Sequence, residues 1–144
     1  MPVSSALLIA GAVVLIALVA GILLRAQDGR KRSGGAVRLR QEDLPGGALT
    51  TPALVQFSTE LCARCPQVRR LLGEVAGVSG IAHLELDVTH RGDIATRYHV
   101  LQTPTTFLVD GTGSVVARWG GVPDRASILD AVTSLPTSQK QEHS

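Results

Sequence analysis

The hydropathy pattern divides the chain near residue 25. Residues 6–24 form an unbroken run of 19 drawn from Ala, Leu, Ile, Gly and Val. As a helix this run spans about 28 Å, close to the hydrocarbon core of a bilayer. A buried core helix is one rival reading, but a helix apolar on every side is rare in a small soluble domain. A cleavable signal peptide is another. It needs a positive n-region, a shorter apolar stretch and a small-x-small cleavage site. Residues 1–5 carry no Lys or Arg, and Leu23-Leu24-Arg25 is a poor cleavage context. An uncleaved membrane anchor over 6–24, after a stub at 1–5, is the expectation.

Beyond the run the pattern changes. Residues 25–36 are polar and Gly-containing and read as a linker. A short strand is expected at 37–39 and a turn at Pro45-Gly46-Gly47. Ala53-Leu54-Val55-Gln56-Phe57 suits a buried parallel strand. Val68, Leu71, Leu72 and Val75 recur at i, i+3, i+4 and i+7, which predicts an amphipathic helix ended by Gly77–Gly80. A strand over 81–88, a short helix over 93–98 burying Ile94 and Tyr98, and a strand over 105–109 follow. Asp110-Gly111-Thr112-Gly113 reads as a hairpin turn into a returning strand at 115–119. Asp124 is placed to cap a last helix carrying Ile128, Leu129, Val132 and Leu135, which Pro136 stops. Residues 136–144 read as a disordered tail. The expected folded domain is 37–135, an α/β layered sheet with helices between parallel strands and a hairpin closing one edge.

Charge sharpens the membrane reading. Six of the chain's 14 Lys and Arg lie between Arg25 and Arg40 (Arg25, Arg30, Lys31, Arg32, Arg38, Arg40) against one acid, Asp28. Lys and Arg beside a span favour the cytoplasmic side, so the N-terminus is expected outside and the domain in the cytoplasm. An extracytoplasmic domain is the alternative. The basic stretch can also rest on anionic headgroups. Residues 41–144 hold eight basic and eleven acidic side chains, and the chain has four Phe, Trp and Tyr. That balance argues against a nucleic-acid partner.

The chemistry is concentrated at Cys62-Ala63-Arg64-Cys65, the only two cysteines. A bridge across two residues closes too small a loop to staple a fold. It suits thiol–disulfide exchange, one sulfur attacking and one resolving. Pro66 fits the first turn of a helix beginning there. A structural zinc site wants four ligands, and His83, His90, His99 and His143 have no ligand spacing with the pair.

Four features together bring out a family. They are the apolar strand ending at Phe57, the Cys62–Cys65 pair opening a helix, Thr103-Pro104 just before a strand, and Gly120-Gly121 ending the hairpin. Over about residues 50–135 the chain resembles thioredoxin-like thiol–disulfide oxidoreductases, and more narrowly the membrane-anchored ones of actinobacteria. The resemblance implies a thioredoxin-like fold, a mixed central sheet flanked by helices, with Pro104 cis and facing the cysteines. It departs from thioredoxin at several points. Gln56 stands where a buried acid is usual, Leu61 and Ser58 replace tryptophans, and Ala63-Arg64 replaces Gly-Pro. His83 is expected at the place of a partly buried lysine.

The resemblance implies a protein-disulfide oxidoreductase, tethered to the membrane and reducing protein disulfides. Its redox-active disulfide takes the place of a cofactor, and no metal is expected. Cys62 is the expected nucleophile, its thiolate favoured by the helix N-terminus and Arg64. Cys65 resolves, and with Gln56 in place of an acid it is expected to do so slowly, passing its proton to water or His83. Arg64, Gln56, Pro66, Thr103 and Pro104 support the site, and Leu61, Thr103, Pro104 and Gly120 line the substrate groove. Trp119 is expected in core packing, with substrate contact as the alternative. Partners are protein disulfides or dithiols, an electron-exchanging redox protein, and lipid around 6–24. Two other readings remain open: a copper or other metal chaperone using the same thiolates, and a non-catalytic adaptor on this fold.

Overall fold

The apolar run and its flanks form one helix, α1 (Val3–Gln27), in a computed structural model that describes residues 2–27, 29–35, 37–46, 49 and 51–136. At 25 residues α1 is about 38 Å long, longer at both ends than the run itself. None of its residues is buried, so it is not a core helix. It is long and apolar enough to cross a membrane. Of the tail expected at 136–144, residues 137–144 lie outside the described residues.

Five strands form one sheet, in the order β1-β5-β4-β2-β3. They are β1 (Lys31–Ser33), β2 (Ala53–Ser58), β3 (Ala82–Asp87), β4 (Thr105–Val109) and β5 (Val115–Gly120). Only β2 and β3 run parallel; the β2–β4, β4–β5 and β1–β5 pairs are antiparallel. The sheet is therefore mixed, as the resemblance implies, and a helix between parallel strands occurs only in the β2–β3 connection. The reason lies in α3 (Gly92–Arg97), which connects β3 to β4. Six helical residues rise only about 9 Å, against about 20 Å for a six-residue strand. With so short a helix in the connection, β4 enters from the end at which β3 finishes and runs antiparallel to it.

The hairpin β4–β5 does not close an edge either, because β1 covers β5. That strand falls within 25–36, read from sequence as a linker. The strand expected at 37–39 reduces to an isolated bridge between Arg38 and Ser114. Gly34 locks β1 down. A Cβ there would lie 1.9 Å from the Val115 carbonyl oxygen. Gly34→Ala is therefore expected to destabilise the fold by about 1–3 kcal/mol, read as a lower denaturant midpoint at unchanged slope.

Both sheet faces are covered. On one side Val55, Phe57, Leu86, Phe107 and Val109 pack with Ile94 and Tyr98. On the other, Leu54, Leu108, Ala117 and Trp119 meet α2 (Cys65–Ser79) and α4 (Arg125–Thr133). Alternation along β2 therefore sends Leu54, Gln56 and Ser58 to the side of α2. Helix α2 buries Val68, Leu72 and Val75 and stops at Gly80, whose φ of 69° ends the helix in the left-handed conformation. Gly77, expected to begin the stop, is still helical. Asp124 sits at the N-cap of α4, but its side chain makes no capping bond.

Candidate functional site

The cysteines lie where β2 hands over to α2. Cys65 is the first residue of α2 and Pro66 follows in its first turn, where its missing N–H costs nothing. Arg64 occupies the N-cap and its carbonyl accepts the Val68 N–H at 3.2 Å. Its side chain is exposed. Cys62 lies three residues before α2, in a turn whose Cys62 N–H donates to the Thr59 carbonyl at 3.2 Å. The sulfurs are joined in a disulfide, with Cα atoms 5.4 Å apart. The two are unequal. Cys65 is 2% exposed, whereas Cys62 is only partly buried.

A second loop meets the segment that leads into them. The Thr103–Pro104 peptide is cis and Pro104 is buried. The Thr103 and Thr59 hydroxyls are 3.3 Å apart, which ties this loop to the segment before Cys62. The Pro104 carbonyl accepts the Gly121 N–H at 2.8 Å. The Pro104 carbonyl thus already has a partner within the fold. The Thr103 N–H and C=O bond to no described residue. Beside Gly120 lies the end of the Gln102 side chain. Leu61 and Leu101 are 96% and 94% exposed, one next to Cys62 and one three residues before Pro104. Leu101 was not singled out from sequence, because exposure of one aliphatic residue leaves no mark in a periodic pattern.

Behind the cysteines, Gln56 is fully buried. Its Nε2 donates to the Cys65 carbonyl at 3.0 Å, and its Oε1 has no partner among the described residues. The parallel register sets Glu85 beside Gln56 and His83 beside Leu54. His83 is thus two residues further from the cysteine end, near Gly73 of α2. Burial holds its pKa below the ordinary value, with Glu85 opposing. Of the two proton acceptors considered for Cys65, water and His83, the register sets His83 further off than Glu85.

Glu85 accepts the Ser58 hydroxyl at 2.8 Å and both the Nη2 (2.6 Å) and Nε of Arg69. Along α2, Arg69 thus pairs with Glu85, and Glu74 pairs with Arg125. The Arg69 hydrogen bond, reinforced by Ser58, keeps the Glu85 carboxyl below its usual range against burial. A depressed carboxylate stabilises the fold fully above its unfolded pKa, about 4.3, and the benefit is lost as pH falls through the lower folded value. Glu85→Gln is expected to lower the Tm at pH 7, and the gap to the parent should close on acidification towards about pH 3. Partial exposure of the pair keeps the effect small.

Trp119 is fully buried and its Nε1 donates to the Ser127 hydroxyl at 3.0 Å, so it packs the core and does not meet substrate.

No family model matches the chain, and no curated protein matches it. Solved structures do. A mutant thioredoxin of Halobacterium salinarum superposes with a TM-score of 0.54 at 24% identity, covering 59% of this chain and 74% of that one. The fold is thioredoxin-like. An uncharacterised thioredoxin-like protein from Clostridium perfringens gives 0.56 at 20% identity, over 66% and 79% of the two chains. DsbF of MTB, in mixed oxidised and reduced forms, gives 0.50 at 20%, over 61% and 83%. In this chain the bridged pair Cys62 and Cys65 lies at the start of α2.

Proposed function

We propose that the chain is a membrane-tethered thiol–disulfide oxidoreductase that reduces protein disulfides through Cys62 and Cys65. The observation that carries this is the inequality of the two sulfurs at the head of α2: Cys62 is partly exposed and Cys65 is buried. In the reduced protein, the Cys62 thiolate attacks one sulfur of a substrate disulfide and expels the other as a thiolate. Cys65, deprotonated, then attacks Cys62 Sγ. The second substrate thiolate leaves and the Cys62–Cys65 bond forms. Two electrons pass to the substrate, and a dithiol donor returns them.

Each supporting residue has a place in this scheme. Partial positive charge at the start of α2 and the Arg64 side chain favour the Cys62 thiolate. Pro66 lets the helix begin directly at Cys65. Thr103 offers its unbonded main-chain groups to an extended substrate segment beside Pro104. Leu61, Leu101 and Gly120 edge that groove. Gln56 fixes the Cys65 backbone but has no carboxylate to receive its proton.

Helix α1 is the anchor in this reading, with the domain on the cytoplasmic side, as the basic residues from Arg25 to Arg40 favour. Tethering confines exchange to partners at the membrane surface and raises their effective concentration. Similarity to the membrane-anchored actinobacterial proteins belongs to the same proposal.

The test uses the full chain in lipid nanodiscs, since a fragment starting at 36 would lack β1. The Cys62–Cys65 couple is equilibrated against glutathione, and insulin serves as disulfide substrate with a dithiol donor. A potential near or below about −230 mV with insulin turnover supports a reductase. A value near about −120 mV makes the protein an oxidant and overturns the direction. Absence of turnover with a reversible couple overturns the enzyme reading.

A further inference from the structure

We propose that a basic pocket at the foot of α1 binds the phosphate group of an anionic membrane lipid. The register of β1 against β5 sets Arg32 directly opposite Arg118. Like charges in that position repel, and none of the residues lining the pocket is acidic. No described carboxylate forms an ion pair with Arg30, Arg32 or Arg118. The pocket encloses about 330 Å³, and Arg30, His99, Gln102 and Gln27 complete its polar wall.

Arg118 is held rigidly there. Its guanidinium donates to the His99 carbonyl at 2.9 Å and lies 4.8 Å from the centroid of the Phe107 ring. Burial first, and the charge of Arg32 second, disfavour its protonated form. An anion between the two guanidiniums relieves both, and charge-assisted, forked contacts to phosphate are what Arg provides best.

The setting points to a lipid as the source. Gln27, the last residue of α1, lines the pocket. A neighbouring groove of about 480 Å³ shares Gln27, Arg32 and Gln102 and continues along α1 to Leu24 and Gly21. A headgroup at Arg32 and Arg118 would thus have apolar helix beside its acyl chains. Gln102 lies two residues before Pro104, so an occupant would hold the cis-proline edge of the domain against the bilayer.

The experiment is native mass spectrometry of the full chain released from nanodiscs of phosphatidylcholine mixed with phosphatidylglycerol. One phosphatidylglycerol should be retained per chain. Arg32→Gln should cut retention by about tenfold or more, and Arg32→Lys should restore much of it. Arg32→Glu should pair with Arg118, keep or raise the Tm, and abolish retention. A parallel calorimetric titration adds inorganic phosphate to the chain in pure phosphatidylcholine discs. Arg32-dependent phosphate binding without lipid retention keeps the phosphate site but assigns it to a soluble ligand, which overturns the lipid. Retention that survives Arg32→Glu, or binding of neither probe, overturns the proposal.

Discussion

Cys62→Ser is expected to lower disulfide turnover roughly 10³-fold or more, the scale of losing a covalent nucleophile. Cys65→Ser is expected to act differently, stalling after the first exchange with substrate covalently held. The asymmetry follows from burial. Cys65, at 2% exposure and with its backbone held by Gln56, is out of reach of a protein disulfide. Cys62 stands in the turn before α2, beside the Thr59–Thr103 contact and the exposed Leu61. Mass spectrometry of Cys65→Ser after exposure to oxidised insulin should show one adduct, on Cys62, that dithiothreitol releases. The same experiment on Cys62→Ser should show none. Equal adducts on both variants would mean that either sulfur can attack, and the assigned roles would fall. Persistence of turnover in Cys62→Ser would remove the dithiol mechanism altogether.

The parts of the fold legible in the sequence were those in which burial imposes a period. Val68, Leu72 and Val75 marked α2, the apolar residues of 53–57 marked β2, and the run at 6–24 marked α1. Thr103-Pro104 and the cysteine spacing marked two loops that the Thr59–Thr103 contact ties together. What escaped has a common physical cause: it depends on pairing between segments distant in sequence. Strand β1 is Lys-Arg-Ser with all three residues exposed, so no hydrophobic alternation announces it. The direction of β4 depends on how far α3 carries the chain, which periodicity alone does not fix. The contrast between His83 and Glu85 is one of register. Both lie on β3 and both point to the side of α2, but only the β2–β3 pairing places Glu85 beside Gln56. The Arg32–Arg118 juxtaposition is likewise invisible until β1 and β5 are paired.

Gln56→Asp is expected to shorten the lifetime of the mixed disulfide by about 10²-fold, at the lower end of what a positioned general base contributes. In the parent chain the residue beneath Cys65 is an amide, which takes up no proton at neutral pH. Glu85, the adjacent carboxylate, is engaged by Arg69 and Ser58 and is held well ionised, which makes it a weak base. Resolution in the parent should therefore accelerate with pH as Cys65 ionises to solvent. An aspartate at 56 would sit at a fully buried position, where desolvation raises a carboxyl pKa towards neutrality and into the range of an effective base. The rate should then rise and its pH dependence flatten. The substitution also removes the Nε2 bond to the Cys65 carbonyl, at a cost of about 1–3 kcal/mol in stability. Gln56→Glu loses the same bond but keeps the side-chain length, so it tests whether the gain depends on where the carboxylate sits; it should also accelerate resolution. Rapid-quench trapping of the Cys62–substrate adduct, in parent and both variants between about pH 6 and 9, measures the lifetime directly. If neither acid changes that lifetime, proton removal from Cys65 does not limit the second exchange, and access of Cys65 Sγ to the mixed disulfide is the slow step.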